Sequence, residues 1–266
     1  KKIAVQLVTY NAEKYLPFLL PSLFAVGDLF DLFILDNASQ DKTPFLLQEW
    51  KEKFSDSVNV ILSQSNVGFS GGHNVLYKNT KSMPYEYVML VNQDMIFEND
   101  FMRRLLSDAE ESNASVAAWT PRLLRWDFAR AQSIGTEESK TEQIDTLGLR
   151  VLRSRRVVEI GAGEAWDGEK KYAGLHDSGY AKEVFGVSGA LPLFRLSALR
   201  RAETPNGDLF DASFFMYKED VDLAWRLFCL SYTAHFVPLA IAYHDRTAFG
   251  GSDMGDMAAA KRKLLQ

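Results

Sequence analysis

The chain has 266 residues, 47% of them hydrophobic and 12% aromatic, and a net charge of −5. That is apolar material for one large domain, or one domain with an appended lobe, and the acidic balance excludes the basic footprint of a nucleic-acid-binding protein. Cys229 is the only cysteine, so no intramolecular disulfide forms, a reducing compartment such as the cytoplasm fits, and no apolar run approaches the ~20 residues of a spanning helix.

IAVQLVTY (3–10) reads as a strand, short and β-rich. Asn11 is placed to cap a helix over about 12–26, where Tyr15, Leu16, Leu19, Leu20 and Leu23 recur at helical spacing. LFILD (32–36) is a second strand; it runs into NASQDKT, where Asp41 caps a helix over about 42–53. VNVILS (58–63) is a third strand, and SNVGFSGGHN leads into a helix near 72–80. YEYVMLVN (85–92) is the fourth strand, after which Asn99 or Asp100 opens a helix to about Glu111. This alternation with short links predicts a parallel sheet with helices on both faces. Ligands of such sheets sit outside the carboxyl ends of the strands. The polar clusters TYN (9–11), DNAS (36–39), SNVG (65–68) and NQD (92–94) all fall there.

From about 127 to 185 the chain is rich in Arg, Glu, Gly and Ser, with short runs such as LGLRVL and RRVVEIG. It reads as hairpins and loops rather than as a second domain. VFGVSGALPLF (184–194) reads as a strand with a glycine-bearing turn, followed by a short helix near 196–202, a helix over about 219–230 and a last strand in TAHFVPLAIAYHD. The chain does not begin on Met, and the final AAAKRKLLQ reads as a helix in progress. A longer natural chain with a membrane-binding tail is the expectation, and with it a place at the inner face of the membrane.

Several residues invite a chemical reading beside an ordinary one. Asp94 ends an apolar strand, and with Asn92 it can hold a hard divalent cation completed by phosphates and water. An Asx turn is the ordinary alternative, weakened by the apolar residues on both sides. Asp36 follows LFIL, where it can accept a bond from a nucleobase N–H; capping explains Ser39 and Asp41 better than it explains Asp36. Gly68, Gly71 and Gly72 permit close approach of a ligand, and the helix start beyond them offers N–H groups to an anion. His73 and Asn74 lie there for phosphate or sugar, although His73 suits packing as well. In FFMYKEDVDLAWRLF (214–228), Glu219, Asp222 and Arg226 can pair along one side of a helix. Asp220 lies near its N-terminus, where a charged carboxylate is favoured, as a candidate general base. An acidic first turn with no further role is the ordinary reading. His244, in AYHD, is a metal ligand, a phosphate donor or a plain surface residue. Trp119, Trp126 and Trp166 can stack on sugar rings or pack in the core.

Taken in order, VTYN, LDNASQD, SNVGFSGGHN, LVNQD, VFGVSGA and FFMYKEDVDLAWRL resemble the family 2 glycosyltransferases with the GT-A fold, most of all the bacterial rhamnosyltransferase-type members that build cell-surface polysaccharide. The resemblance spans nearly all of residues 3–246. It implies an α/β fold with a Rossmann-like, mostly parallel central sheet and a small C-terminal acceptor-side subregion. Residues 1–266 would be one domain, with about 1–112 binding the nucleotide sugar and about 113–266 carrying acceptor and base. It implies that Thr9, Tyr10 and Asn11 line the nucleotide pocket, that Asp36 binds the base, and that Asn66, Gly68 and Asn74 lie against ribose and donor sugar, with Asn92 and Gln93 beside them. Asp94 and His244 would contact Mg2+ or Mn2+, Gly186, Ser188, Gly189 and Ala190 would sit by the acceptor, and Asp220 would be the catalytic base with Glu219 beside it. The family's stricter signature is Asp-x-Asp; here its first position is Asn92. The implied activity is inverting transfer from a dTDP-, UDP- or GDP-sugar, rhamnose among the candidates, to a glycan or lipid-linked hydroxyl. A nucleotidyltransferase and a non-catalytic carbohydrate-binding protein on the same fold stand as alternatives. TYNAEKY, with one lysine and no glycine after the first strand, argues against the former. The presence of Asp94 and Asp220 argues against the latter.

Overall fold

The first four apolar runs become parallel strands. In the computed structural model, which describes residues 1–168 and 182–246, β1 (Ile3–Thr9), β2 (Phe30–Asp36), β3 (Val58–Leu62) and β4 (Tyr87–Val91) lie side by side in the order β3–β2–β1–β4. The register sets Thr9 level with Asp36 and Asp36 level with Leu62, so the strands finish on one edge. The connecting helices are α1 (Leu16–Ala25), α2 (Thr43–Lys53) and α3 (Gly68–Thr80).

Alternate side chains of a strand face opposite sides of the sheet, and both sides are covered here. Ile3, Val5 and Leu7 pack with Leu16, Leu19, Leu20 and Leu23 of α1 and with Leu105 of α4 (Phe101–Glu111). Ala4 faces the other way, in a second core with Leu76 and Tyr77 of α3. That core also holds Leu199 of α6 (Leu196–Arg201) and Leu223 and Leu227 of α7 (Glu219–Cys229).

Beyond β4 the sheet becomes mixed. It continues through β11 (Leu193–Arg195), β6 (Val116–Trp126), β12 (Thr233–His244) and β10 (Lys182–Val184). β11 is antiparallel to both of its neighbours, while β12 runs parallel to β6. The short strand β5 (Met95–Phe97) adds to the far end of β12 and sets Met95 opposite His244. That single pairing brings the fourth strand's polar tip to the end of the last strand. After α5 (Phe128–Ile134), β7 (Lys140–Thr146) adds to β6, and β8 (Leu149–Val151) and β9 (Val157–Glu159) form a separate hairpin.

Several elements differ from the sequence expectation. Helix α1 begins at Leu16, and Asn11 does not cap it: Asn11 has a φ of +49°, and its amide oxygen accepts the N–H of Gln40, tying two strand-end loops together. Helix α3 begins at Gly68, so the glycines belong to its first turns rather than to a loop. VFGVSGALPLF is not one strand; β10 ends at Val184, β11 starts at Leu193, and the chain between them borders the site. Strand β6 lies in a stretch for which the sequence suggested no element, and it contains Pro121, a residue disfavoured in central strands. The sheet accommodates Pro121 at a register shift, where Val237 and Ile241 of β12 pair with Pro121 and Arg122. AAAKRKLLQ and part of the 127–185 insert lie outside the described residues.

Candidate active site

A cleft of about 990 Å³ opens at the carboxyl edge of β1 and β4. Thr9 and Tyr10 reach it from β1, Asn66 and Gly68 from the loop into α3, and Asn92, Gln93 and Asp94 from the end of β4. The opposite wall is Ser188, Gly189 and Ala190, with Glu219 and Asp220 from α7 and His244 from β12. The β8–β9 hairpin closes one side through Leu149, Val157, Val158 and Glu159.

At one end stand Asp94 and His244. The Asp94 carbonyl accepts the indole N–H of Trp126 at 3.0 Å and the N–H of Asp245 at 3.0 Å, which fixes its backbone. Its Oδ1 lies 3.1 Å from His244 Nε2. Its Oδ2 is buried without any hydrogen-bond partner. The other ring nitrogen of His244, Nδ1, meets Asp145 Oδ2 at 2.8 Å. Asp145 is also paired with Arg246 at 2.5 Å, and Arg246 reaches Glu159 of the hairpin at 2.7 Å. Burial alone would lower the pKa of His244, but the charge of Asp94 and the bonds to both carboxylates raise it to about 10. Burial pushes Asp145 up, and the bond from His244 with the charges of His244, Arg246 and Arg125 brings it net below the usual carboxylate range.

The donor set fits a hard divalent cation. A buried carboxylate oxygen without a partner costs a few kcal/mol unless a ligand completes it. A histidine whose far nitrogen is held by a carboxylate is the usual arrangement of a metal-ligating imidazole. Among the described residues no group of three metal-ligating side chains gathers, so Asp94 and His244 would leave the remaining positions to phosphate and water, as Mg2+ and Mn2+ accept. Asn92 brings its amide nitrogen within 3.4 Å of His244 Nε2.

At the other end the acids lack such compensation. Asp220 Oδ2 accepts the N–H of Gly189 at 3.2 Å and Oδ1 accepts the N–H of Val221 at 2.8 Å. Burial raises its pKa, and these two N–H groups oppose the shift. Glu219 is buried, its Oε2 has no partner, and burial followed by the charge of Asp220 lifts it to about 8. The expected pairing of Glu219 with Arg226 is not made; Arg226 pairs with Asp222 at 2.9 Å and Glu219 faces the cleft. Immediately before them Tyr217 and Lys218 both take left-handed backbone, φ +72° and +75°. Two such non-glycine residues in succession carry strain of about 1 kcal/mol or more each, and they aim the first turn of α7 into the cleft.

Several expected residues also meet, or meet only, other parts of the protein. Asn74 does not line the cleft: its amide donates to the Phe210 carbonyl and accepts the Phe210 N–H, pinning that loop to α3. Gly186 is also away from it; a Cβ there would lie 2.5 Å from Ala224 Cβ, so its bareness lets the chain cross α7. Asp36 is 2% exposed and already accepts from the Thr9 hydroxyl and from the N–H and hydroxyl of Ser39. His73 is fully buried against Phe69 and Phe210, near Gln6. Gln93 clasps the backbone N–H and carbonyl of Tyr10. Gly68, φ +77°, lines the cleft and also packs closely on the protein: a Cβ there would meet the Phe215 carbonyl at 2.4 Å. Trp119 and Trp126 are core residues, and Trp166 lies against Arg122. Asp145 and Arg246 carried no signal by themselves, though Arg246 stands two residues after His244 in YHDR.

Fold and cleft together define the GT-A class of α/β protein. Within that class the family is shown by the sequence: the glycosyl transferase family 2 profile matches residues 5–153, more than half of the chain, and the chain belongs to that family. Rhamnosyltransferase WbbL of Escherichia coli (strain K12) is 24% identical over 254 residues, covering 93% of this chain and 86% of the relative. Among solved structures, GalNAc-T7 with UDP, GalNAc and Mn2+ is similar at a TM-score of 0.70 and 11% identity, over 92% of this chain and 44% of that one. The mannosyltransferase PcManGT from Pyrobaculum calidifontis, in complex with GDP-Man and Mn2+, is similar at 0.60 and 15%, over 100% and 62%. S. aureus TarS (residues 1–349) in complex with UDP-GlcNAc is similar at 0.59 and 17%, over 100% and 67%. The chain spans less than two thirds of the length of the first two of these structures. Among the described residues no helix is long and apolar enough to cross a membrane.

Proposed function

We propose that the protein transfers a sugar from a nucleotide-diphosphate donor to a hydroxyl of a glycan or lipid-linked acceptor, with inversion at the anomeric carbon. The observation that carries this reading is that Asp94 and Asp220 line one cleft, the first beside a histidine and with an unpartnered buried oxygen, the second held by two N–H groups. Rhamnose on dTDP is one candidate donor, on the similarity to a rhamnosyltransferase; UDP- and GDP-sugars are the others.

Thr9, Tyr10 and the loop through Asn66 and Gly68 receive the nucleotide, with Asn11 and Asp36 bracing that wall from behind. Asp94 and His244 would hold Mg2+ or Mn2+, which when bound would supply positive charge against the departing diphosphate. Asp220 takes the proton of the acceptor hydroxyl as its oxygen bonds to the anomeric carbon and the bond to the diphosphate oxygen breaks, a contribution of ~10²–10⁴-fold. Glu219, held protonated, keeps a second negative charge away from the base. Ser188, Gly189 and Ala190 form the acceptor side, and the Gly189 N–H keeps the Asp220 carboxylate turned toward the cleft. No enzyme nucleophile is needed.

Thermal stability measured with UDP, dTDP and GDP, each with and without Mn2+, tests the reading. Stabilisation by one nucleotide that depends on Mn2+ is the expected result. Indifference to all three, with and without the cation, overturns it.

A further inference from the structure

The hairpin that closes the cleft carries a charge pattern the transfer reaction does not use. Its strands and turn, Leu149–Glu159, read LRVLRSRRVVE, with four arginines and a single acid at the end. Arg150, Arg153, Arg155 and Arg156 are all exposed. None of the four side chains pairs with any described residue. The nearest acid in sequence, Glu159, is taken by Arg246 at 2.7 Å. The cleft-facing residues of the hairpin are Leu149, Val157, Val158 and Glu159, and no arginine of the four lines the cleft. Whatever they meet therefore lies outside it.

The turn is built at a cost. The N–H of Leu152 bonds the Arg156 carbonyl and the N–H of Arg155 bonds the Leu152 carbonyl, both at 2.8 Å, and closing that turn puts Arg155 at a φ of +65°. Glycine or asparagine would adopt that backbone with less strain. Three like charges within four residues add mutual repulsion. A strained, self-repelling turn on a chain of net charge −5 is explained if an external anion completes it.

We propose that the tip of the β8–β9 hairpin docks the protein on an anionic lipid surface, with arginines on lipid phosphates and with the half-buried Val151 and Leu152 beside them. A flat surface suits a single turn. A nucleic acid would need a basic stripe longer than one turn. Arginines beside aliphatic side chains are the composition of an interfacial segment. Docking there brings the cleft wall formed by the same hairpin to the membrane. Its value for reaching a lipid-linked acceptor rests on the transferase reading above; the docking itself does not.

Flotation of the full chain with vesicles tests this, comparing pure phosphatidylcholine with an equal mixture of phosphatidylcholine and phosphatidylglycerol. The variant is R153Q/R155G/R156Q, in which glycine at 155 suits the turn. Each basic residue near an anionic surface contributes roughly fivefold to partitioning, so the variant should bind the anionic vesicles about a hundredfold more weakly. The wild type should ignore the neutral vesicles and lose the anionic ones in high salt. Equal partitioning of variant and wild type overturns the proposal, as does equal binding to both vesicle types. Release from anionic vesicles by inorganic pyrophosphate, at ionic strength matched with chloride, also overturns it in favour of a soluble phosphate ligand. The Mn2+-dependent nucleotide shift, measured on the same variant, should be unchanged. Loss of that shift in the wild type would remove the transferase reading and leave the flotation result standing.

Discussion

Replacing Asp220 by Asn separates the base from the binding site. Asn keeps the shape and still accepts the Val221 N–H now bonded to Oδ1 at 2.8 Å. Where Oδ2 accepts the Gly189 N–H at 3.2 Å, it presents an amide donor instead, a loss of about 1 kcal/mol for the missing bond. Part of that is returned, because the charge of Asp220 is one of the causes that hold Glu219 at about 8. The expected change in stability is therefore small, within about 1 kcal/mol. The change in turnover is not: an amide cannot take a proton, so the ~10²–10⁴-fold of general-base help disappears, about 3–5 kcal/mol of barrier. Donor consumption in the presence of acceptor measures the loss, and the nucleotide-induced thermal shift serves as the control for intact binding. Turnover within a few-fold of wild type, with the shift preserved, would remove Asp220 from the base role.

Asp145→Asn should weaken the Mn2+ dependence of nucleotide binding by about 10–100-fold, because it removes the carboxylate that orients His244; an unchanged Mn2+ titration of the thermal shift refutes this. Glu219→Gln should flatten the pH dependence of stability. The folded pKa of about 8 stands above the ordinary 4.5, so the contribution of Glu219 is fully present below about pH 4.5 and lost as pH rises through 8. That loss is on the order of 3–5 kcal/mol in the wild type and should be absent from denaturant melts of the variant across the same interval. Gly186→Ala should cost about 1–3 kcal/mol by overpacking against Ala224, where the added Cβ would sit 2.5 Å away; an unchanged melting temperature would show that the crossing over α7 is loose.

The first half of the fold was legible because its signals are local. Each apolar run of four to eight residues bounded by polar tips is a parallel strand, and the sheet rule then points to one edge for the ligand. Asp94 stood out for the same reason, as a carboxylate where an apolar run should continue. In the second half α6, α7 and β12 were legible too, near 196–202, 219–230 and in TAHFVPLAIAYHD; β5 and β6 were not, because their pairings are remote in sequence and they break local rules. β6 contains a proline that only a register shift in β12 accommodates, and β5 is three residues long. Gly68 and Gly72 were read as sites where a ligand comes close and Gly186 as an acceptor-side residue; a Cβ at these positions would meet the Phe215 carbonyl, Val8 and Ala224. Sequence shows that a backbone must be bare and cannot say against what. Asn74 was misplaced on the same ground: a polar residue early in a helix beside a loop has the same signature whether it meets a sugar or the Phe210 backbone.

The two ends of the cleft treat buried acids in opposite ways, and this asymmetry suits the chemistry proposed for it. Around His244 the charges are interleaved: Asp94, His244, Asp145, Arg246 and Glu159 follow one another in contact, acid and base in turn. Such a chain resists reorganisation, since moving one member leaves its neighbours unpaired in a buried place. Around Asp220 there are only N–H groups and the exposed Lys218, and both acids there are shifted toward the neutral form. A rigid, compensated end is what a fixed phosphate position requires. An uncompensated end, where a carboxylate gains by accepting a proton, is what a base requires. The β8–β9 hairpin touches the first end through Glu159 while its arginines face outward. The hairpin also meets the other wall, through the Leu149–Gly186 backbone pairing and the Ser188 hydroxyl on Glu159, next to the Gly189 N–H that holds Asp220, so moving it would be felt at both ends.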